Sequence, residues 1–402
     1  MNRYITLLRR EPLLRRLSFV QLIAYFGAWF TNVAIYTLLL QLGASAMTVA
    51  LVAALHFLPG VLQAPFSGTL IDKFAPKRLM TALMTVEIVT TLPLILIDDN
   101  AHLWLLYILV FVRMGAASFY FTLEMALLPR FLSPATLKLA NELHSVIWSF
   151  AYTVGMAASG IAVFYIGVKA AFLTDAVMFA GALFLLANAL FPAFEKKEPR
   201  RYLAMLRESI AYLRANPLTR HLIFMHAVVG FTAFDGLVAL IANAYYVPAV
   251  AAPLAIGLMH AFRATGLVAG PLLFGRWITA RRLPLLLTVQ AAAILVWAAV
   301  LPHFYVSLAA SVFVGLTTTT LWSYTYTLLQ HHTSESYYGR VIAYNDMLFL
   351  LTVAAVSLLI GVLAQWGVSL QVITAMLGGT FVVGAGYFIW ITRTFELRLI
   401  ED

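Results

Sequence analysis

Three ionisable residues, Arg113, Asp235 and Arg263, lie near the middle of long apolar segments of the sequence. A charged side chain at the centre of a lipid bilayer costs about 2.5 to 3.5 kcal/mol on insertion scales. We therefore expect all three side chains to face a polar interior rather than lipid. The pairing that we expect joins Asp235 to Arg263, which leaves Arg113 for a bound anion or for another acid.

The apolar segments predict the elements that hold these residues. Of the 402 residues, 62% are hydrophobic and 11% are charged, which is too apolar for an ordinary water-soluble enzyme. A membrane-spanning helix needs about 20 apolar residues, and we therefore predict an all-α membrane protein with twelve transmembrane helices. Very short turns separate spans 5 and 6, at Gly167 to Lys169, and spans 9 and 10, at Leu301 to His303. The predicted spans 1 to 12 are 17–42, 46–69, 78–97, 102–128, 137–166, 169–192, 218–246, 252–275, 283–301, 303–330, 338–365 and 369–392.

The distribution of positive charge supports this count and indicates the orientation. Lys and Arg are enriched in the cytoplasmic loops of membrane proteins, and 23 of the 26 Lys and Arg residues lie at the termini or in the even-numbered loops. We therefore expect a multi-pass protein of the bacterial inner membrane with both termini in the cytoplasm. The anionic lipid surface accounts for the net charge of +9, so no nucleic-acid partner is expected.

Several kinds of chemistry are excluded by the residues and motifs that the chain lacks. It has no cysteine, which excludes disulfides, thiolate metal sites and thiol catalysis. It has neither a P-loop nor an H-E-x-x-H motif, and His331 with His332 provides too few ligands for a metal site. We expect no cofactor, no metal and no enzymatic activity, so any energy must come from a gradient or from a partner.

A charged connection and a weak internal repeat divide the chain into two halves. The connection holds the densest charge cluster, and apolar residues at helical spacing predict a short amphipathic helix in it. Leu55-His56 and Lys77-Arg78 recur 204 residues later as Met259-His260 and Arg281-Arg282. We predict six-helix bundles at 1–192 and 218–402, joined by a cytoplasmic linker at 193–217.

The loop after span 2 contains the most informative motif. Gly68 is followed four residues later by Asp72 and then by the basic residues Lys77 and Arg78. This pattern resembles the loop signature of the major facilitator superfamily. Three other segments add to the resemblance: Leu109 to Gly115 around Arg113 in span 4, Gly155 to Gly160 in span 5, which resembles the glycine-rich antiporter segment of the family, and Tyr338-Gly339-Arg340 at the start of span 11. Asn141, Asp175 and residues 134–141 are similar to the enterobactin-exporter-like, multidrug efflux branch.

The resemblance implies roles for the residues singled out above. Spans 1, 4, 7 and 10 would line a central cavity with help from spans 2, 5, 8 and 11, which places Arg113, Asp235 and Arg263 on lining spans. Asp72 would meet the start of span 11. The other implied roles are substrate contact by Trp29, Tyr120 and Trp322, gating by Gly68, Lys77, Arg78, Gly339, Arg340 and Asp346, and helix packing by Gly155 and Gly160.

For the remaining acids within or near the spans, we expect no direct role in transport. Glu87 in span 3 and Asp175 in span 6 lie on spans that are usually peripheral, so we expect them to pack against polar neighbours. Glu124 and Glu142 lie near cytoplasmic ends, where we expect contact with water.

The resemblance implies a secondary active transporter that works by alternating access of two pseudo-symmetric bundles around a midplane site. We expect a monomeric, proton-coupled exporter of small amphipathic organic molecules, drug-like or siderophore-like, in which protonation of Asp235 frees Arg263. The surplus of positive charge at Arg113, Arg263 and Asp235 indicates an anionic or zwitterionic substrate. The alternatives are an importer, a metal-ion carrier or a lysolipid carrier on the same fold, and a membrane sensor or scaffold that transports nothing.

Overall fold

A computed structural model describes residues 2–191, 202–247, 249–334 and 337–395. These residues form helices and turns, with no strand among them. The α-helices are α1 (Asn2–Arg10), α2 (Pro12–Gln41), α3 (Ala46–Leu55), α4 (Leu58–Lys73), α5 (Pro76–Thr91), α6 (Leu103–Leu127), α7 (Pro134–Ala187), α8 (Tyr202–Ala215), α9 (Pro217–Ala227), α10 (Asp235–Ile241), α11 (Ala252–Phe274), α12 (Leu283–Val300), α13 (Phe304–His331), α14 (Tyr338–Gln365) and α15 (Leu370–Thr394).

Eleven helical stretches in the described residues are long and apolar enough to cross a membrane. One of them accounts for two of the predicted spans. Helix α7 has 54 residues, which would be about 80 Å long if it were straight, more than twice the thickness of a bilayer core. It departs from helical geometry at Gly167, where φ is 80° and ψ is 168°. The prediction of an all-α protein with twelve spans is therefore confirmed, and spans 5 and 6 separate at the expected glycine.

Two of the predicted spans are interrupted. In span 2, α3 ends at Leu55 and α4 begins at Leu58. Span 7 consists of α9, a 3₁₀ turn at Val228–Thr232, α10 and a π-helical turn at Ala242–Tyr246. Helical geometry is lost between Thr232 and Asp235, so that an ionisable residue follows the break directly.

The described residues group into two compact units. The N-terminal unit contains residues 2–44 and 62–191, and the C-terminal unit contains residues 45–61 and 202–395. The first part of span 2 therefore groups with the later part of the chain, because α3 packs closely on α10 and α14. A Cβ at Gly236 would lie 3.0 Å from the Cβ of Ala53, and a Cβ at Gly361 would lie 3.2 Å from the Cα of Met47.

Helix α8 lies inside the predicted linker and packs within the C-terminal unit. Glu208 forms an ion pair with Arg340, with 3.1 Å between Oε2 and Nη1. The Tyr212 ring stacks on Tyr337 with 4.2 Å between centroids, and the Tyr212 hydroxyl accepts a hydrogen bond from the Ser334 amide. The linker helix is therefore held against the start of α14. Residues 193–201 of the linker lie outside the described residues.

Helices α11 and α13 approach each other closely through glycines. A Cβ at Gly315 would overlap the carbonyl oxygen of Arg263 and would lie 2.9 Å from the amide nitrogen of Leu267. A Cβ at Gly266 would likewise overlap the carbonyl oxygen of Val312. Small residues allow such backbone contact between membrane helices, and this contact holds the segment around Arg263 in place.

We predict that Gly315→Ala destabilises the protein, because the added methyl group must push two backbones apart. Overpacking of this kind costs about 1 to 3 kcal/mol. The matched control is Gly379→Ala in α15, where a Cβ would meet nothing within 4 Å and the helix propensity of alanine favours the variant. Thermal unfolding in detergent should show a lower melting temperature for Gly315→Ala only. Equal melting temperatures for the two variants would contradict the close contact.

Candidate functional site

The N-terminal unit buries one arginine between two carboxylates. Arg113 on α6 is 0% exposed, and its Nε atom lies 3.1 Å from Oε2 of Glu87 on α5. Its Nη2 atom lies 3.1 Å from Oδ2 of Asp175 in the second half of α7. Both acids are buried as well. One guanidinium group therefore faces two carboxylates inside the membrane-spanning part of this unit.

Hydroxyl groups complete this arrangement and distinguish the two acids. Oδ2 of Asp175 accepts hydrogen bonds from Thr31 at 2.6 Å, from Thr91 at 3.5 Å and from Arg113. The Glu87 carboxylate accepts no hydrogen bond from the described residues. We call these five residues, Arg113, Glu87, Asp175, Thr31 and Thr91, the Arg113 cluster. They come from α2, α5, α6 and α7, so the cluster ties four helices together.

A glycine makes room for the Arg113 cluster. A Cβ at Gly27 on α2 would overlap the Asp175 carboxylate and would lie 2.9 Å from the Phe179 ring. The Gly27 carbonyl also accepts a hydrogen bond from Arg113 Nη2 at 3.4 Å. The local backbone of α2 is thus part of the site.

These contacts correct the sequence-based charge balance. We expected Arg113 to bind an anion or to pair with another acid. It pairs with two acids, Glu87 and Asp175. Fully buried and paired, Arg113 does not present a free charge to an anion. The expected surplus of positive charge is therefore wrong, because Arg113 is matched by two carboxylates that the charge count had omitted.

A second buried polar group lies near the C-terminal end of α6 in the N-terminal unit. Glu124 on α6 is 2% exposed and accepts a hydrogen bond from the Tyr25 hydroxyl at 3.2 Å. His144 Nδ1 lies 3.9 Å from Glu124 and 2.9 Å from the Gln21 amide nitrogen. Tyr120, predicted to contact substrate, is buried edge-on against Tyr25 with centroids 6.3 Å apart. Glu124 is therefore shielded, contrary to the expectation of contact with water.

Sequence reasoning missed this second group, although one signal was present. Gln21 and Tyr25 are four residues apart on α2, and Tyr120 and Glu124 are four residues apart on α6. Residues at this spacing lie on one face of a helix, so two polar faces could have been matched. The sequence analysis assigned no function to His144.

In the C-terminal unit the expected ion pair between Asp235 and Arg263 is wrong. Among the described residues, the nearest basic group to Asp235 is the His260 imidazole, with Nδ1 3.8 Å from Oδ1. Arg263 Nη2 instead donates to the Thr232 carbonyl at 3.2 Å, and its guanidinium group lies 4.9 Å from the centroid of the Phe234 ring. The break between α9 and α10 is the physical reason, because it presents a carbonyl group and an aromatic ring to the guanidinium.

The predicted gating residues have partners within their own units. Asp72 forms an ion pair with Arg130 at 2.9 Å in the N-terminal unit. Lys77 Nζ donates to the carbonyls of Ala187 and Ala189 at 2.7 and 2.9 Å, which caps the C-terminal end of α7.

Among the other predicted gating residues, Arg340 in the C-terminal unit pairs with Glu208 on the linker helix. Arg78 is exposed, and a Cβ at Gly68 or Gly339 would meet nothing within 4 Å. The gating role itself stays a prediction.

The predicted packing and aromatic residues are distributed over both units. Gly155 allows close contact with α2, since a Cβ there would lie 3.1 Å from the Phe26 carbonyl oxygen and 3.3 Å from the Trp29 Cβ. Gly160 is buried.

Of the aromatic residues predicted to contact substrate, Trp29 packs edge-on against Tyr152 with ring centroids 4.7 Å apart, and Trp322 is 39% exposed. Within the described residues, no group of three or more His, Cys, Asp and Glu could hold a metal ion.

Comparisons with known proteins bear on what this fold does. The chain is 29% identical over 222 residues to the uncharacterized MFS-type transporter YfiS of Bacillus subtilis strain 168. The alignment covers 53% of this chain and 52% of that protein, so the chain matches about half the length of this relative.

Solved transporter structures share the fold over nearly the whole chain. A bacterial homolog of the human lysosomal transporter Spinster superposes with a TM-score of 0.75 at 12% identity, covering 98% of this chain and 99% of that one. The nucleoside transporter NupG gives 0.73 at 12% identity, covering 95% and 100%. The D-xylose-proton symporter gives 0.73 at 10% identity, covering 93% and 96%. At such identities the likeness concerns the fold alone.

The family follows from the sequence match together with the fold. The sequence model of the Major Facilitator Superfamily matches residues 17–250, more than half of the chain. Its members and the structural neighbours are transporters rather than enzymes. This multi-pass membrane protein therefore belongs to the Major Facilitator Superfamily, the family that its loop motif resembles.

Proposed function

We propose that this protein is a proton-coupled secondary active transporter that exports small amphipathic organic molecules across the bacterial inner membrane. The two halves, residues 1–192 and 218–402, would provide alternating access to a site near the membrane midplane. The observation that carries the proton coupling is the Arg113 cluster, in which two buried carboxylates share one guanidinium group.

The charge of the Arg113 cluster supports proton exchange. With all three groups ionised, the cluster holds one excess negative charge away from water, and an uncompensated charge inside a membrane is costly. Binding one proton makes the cluster neutral. A site that is neutral with a proton and charged without it can link helix packing to a proton gradient.

Glu87 is the group that we propose to take up this proton. Three hydrogen bonds to Oδ2 favour the ionised form of Asp175, whereas Glu87 accepts none from the described residues. The Asp235 mechanism expected from the sequence required an ion pair with Arg263, which the structure lacks, so the proton site moves to the N-terminal unit.

The consequence for transport follows from the helices involved. The cluster connects α2, α5, α6 and α7, and a change of one unit of charge alters the attraction among all four. If the two access states differ in this packing, the proton shifts the balance between them. Export is supported by the Gly155 to Gly160 segment, which resembles the antiporter segment of the family.

We predict that Glu87→Gln abolishes proton-driven transport but leaves substrate exchange. In liposomes with an acidic lumen, wild-type protein should accumulate a radiolabelled amphipathic compound through antiport, and Glu87→Gln should not. Exchange of labelled for unlabelled compound without a gradient should continue in both proteins. The matched control is Asp98→Asn, an exposed acid paired with Lys169, which should accumulate the compound like the wild type.

Other outcomes would contradict the proposal in distinct ways. Gradient-driven accumulation by Glu87→Gln at the wild-type rate would remove Glu87 from the coupling mechanism. Accumulation only when the external medium is acidic would show symport and would identify an importer. If wild-type protein moves no compound from a panel of cationic, neutral and anionic amphiphiles, the sensor or scaffold alternative is favoured.

We also predict that Arg113→Leu strongly destabilises the N-terminal unit, because it leaves two buried carboxylates without their counter-ion. Removal of one partner of a buried ion pair costs about 3 to 5 kcal/mol. The triple variant Arg113→Leu, Glu87→Gln, Asp175→Asn removes all three charges and should recover most of the loss. Arg130→Leu, which breaks a partly exposed pair with Asp72, should cost about 1 kcal/mol or less. Thermal unfolding in detergent measures all three, and a triple variant no more stable than Arg113→Leu would refute the charge argument.

A further inference from the structure

Asp346 is an exposed carboxylate on a membrane-spanning helix. It lies in the third turn of α14, and its hydrogen-bond partner is the neighbouring Asn345 amide at 3.2 Å. No cation pairs with it among the described residues. Exposing a charged side chain to lipid within a membrane-spanning helix is costly, so we expect water to reach this side of α14.

The same unit holds aromatic rings on α13 and α14, the helix that carries Asp346. Trp322 and Tyr326, one turn apart on α13, stack with centroids 5.1 Å apart and planes at 23°. Phe349 lies three residues after Asp346, on the same side of α14. We call Asp346, Trp322, Tyr326 and Phe349 the Asp346 face.

A buried histidine holds the three rings together. The His226 ring lies 5.5 Å from each of the Trp322, Tyr326 and Phe349 rings, measured between centroids. His226 is 0% exposed and shares a hydrogen bond of 2.9 Å with the Thr325 hydroxyl. The rings from two helices are thus fixed in relation to each other, while Trp322 remains 39% exposed.

We propose that the Asp346 face binds an amphipathic organic cation. The proposal rests on the proposed function and names its substrate class. Aromatic ring faces attract cations within about 6 Å of the ring centroid, and Asp346 supplies the counter-charge. The apolar parts of such a molecule fit the exposed surface of Trp322.

The ionisable residues within the spans also favour a cation over an anion as the ligand. Away from the span ends, Arg113 and Arg263 are the cations of the described residues, whereas Glu87, Asp175, Asp235 and Asp346 are acids. Arg263, the other candidate for binding a charged group, is 8% exposed and already lies against the Phe234 ring and the Thr232 carbonyl. An accessible, unpaired charge on the C-terminal unit is therefore provided by a carboxylate, which selects a cation.

Two ions of nearly the same shape and opposite charge test the proposal. Tetraphenylphosphonium and tetraphenylborate are titrated separately into the detergent-solubilised full-length protein, and binding is measured by calorimetry without any gradient. We expect tetraphenylphosphonium to bind at least about tenfold more tightly than tetraphenylborate, a difference of about 1.4 kcal/mol. Asp346→Asn should weaken phosphonium binding at least about tenfold, and Asp98→Asn should not change it.

Two tryptophan variants test the contribution of the aromatic rings to cation binding. Trp322→Ala should weaken phosphonium binding by about threefold or more, consistent with about 0.5 to 1 kcal/mol for a cation over an aromatic ring. Trp366→Ala removes an exposed tryptophan just after α14 and should leave binding unchanged. Melting temperatures of the variants show that each is folded.

The results that overturn this proposal differ from those that overturn the proposed function. Equal or tighter binding of tetraphenylborate, or wild-type phosphonium binding by Asp346→Asn, would refute the Asp346 face as a cation site even if proton-driven transport is observed. Phosphonium binding that depends on Asp346, in a protein that moves nothing under a gradient, would refute the transport mechanism and leave the binding site standing.

Discussion

The cost of placing a charge in hydrocarbon governs the arrangement of this protein. Arg113 is tolerated because two carboxylates and the Thr91 hydroxyl surround it, and because each of these groups comes from a helix that must then face the same interior. The rotation of α2, α5, α6 and α7 about their axes is thereby restricted. Apolar surface alone could not impose this restriction, since lipid is as apolar as the helix faces that meet it.

The two units accommodate their intramembrane arginines by different chemistry. In the N-terminal unit Arg113 is matched by carboxylates, and Gly27 provides the space for one of them. In the C-terminal unit an aromatic ring and a backbone carbonyl, both at the break in span 7, take this role for Arg263. The N-terminal unit therefore encloses its charges, whereas the C-terminal unit leaves the Asp346 carboxylate accessible. This contrast underlies the separation of proton exchange from substrate binding in our proposals.

Much of the fold could be predicted from the sequence, because span length and loop charge are local properties. The predicted limits of span 11 agree with α14, and the turn at Gly167 was expected. The break in span 7 was not predicted, because hydropathy reports whether a segment is apolar and not whether its helix is continuous. The Asp235 and Arg263 pairing failed for the same reason. The burial of Glu124 was missed because position along a helix does not indicate which neighbour covers a side chain.

The turn at Gly167 has a consequence for the biosynthesis of the protein. A single residue with positive φ separates two spans, so no hydrophilic loop is present that could cross the membrane on its own. We therefore expect the two spans to insert together as one helical hairpin, which carries Asp175 into the bilayer beside an apolar partner. A reporter domain fused at this turn would separate the hairpin, which makes the position unsuitable for topology mapping, unlike the longer connection at 193–217.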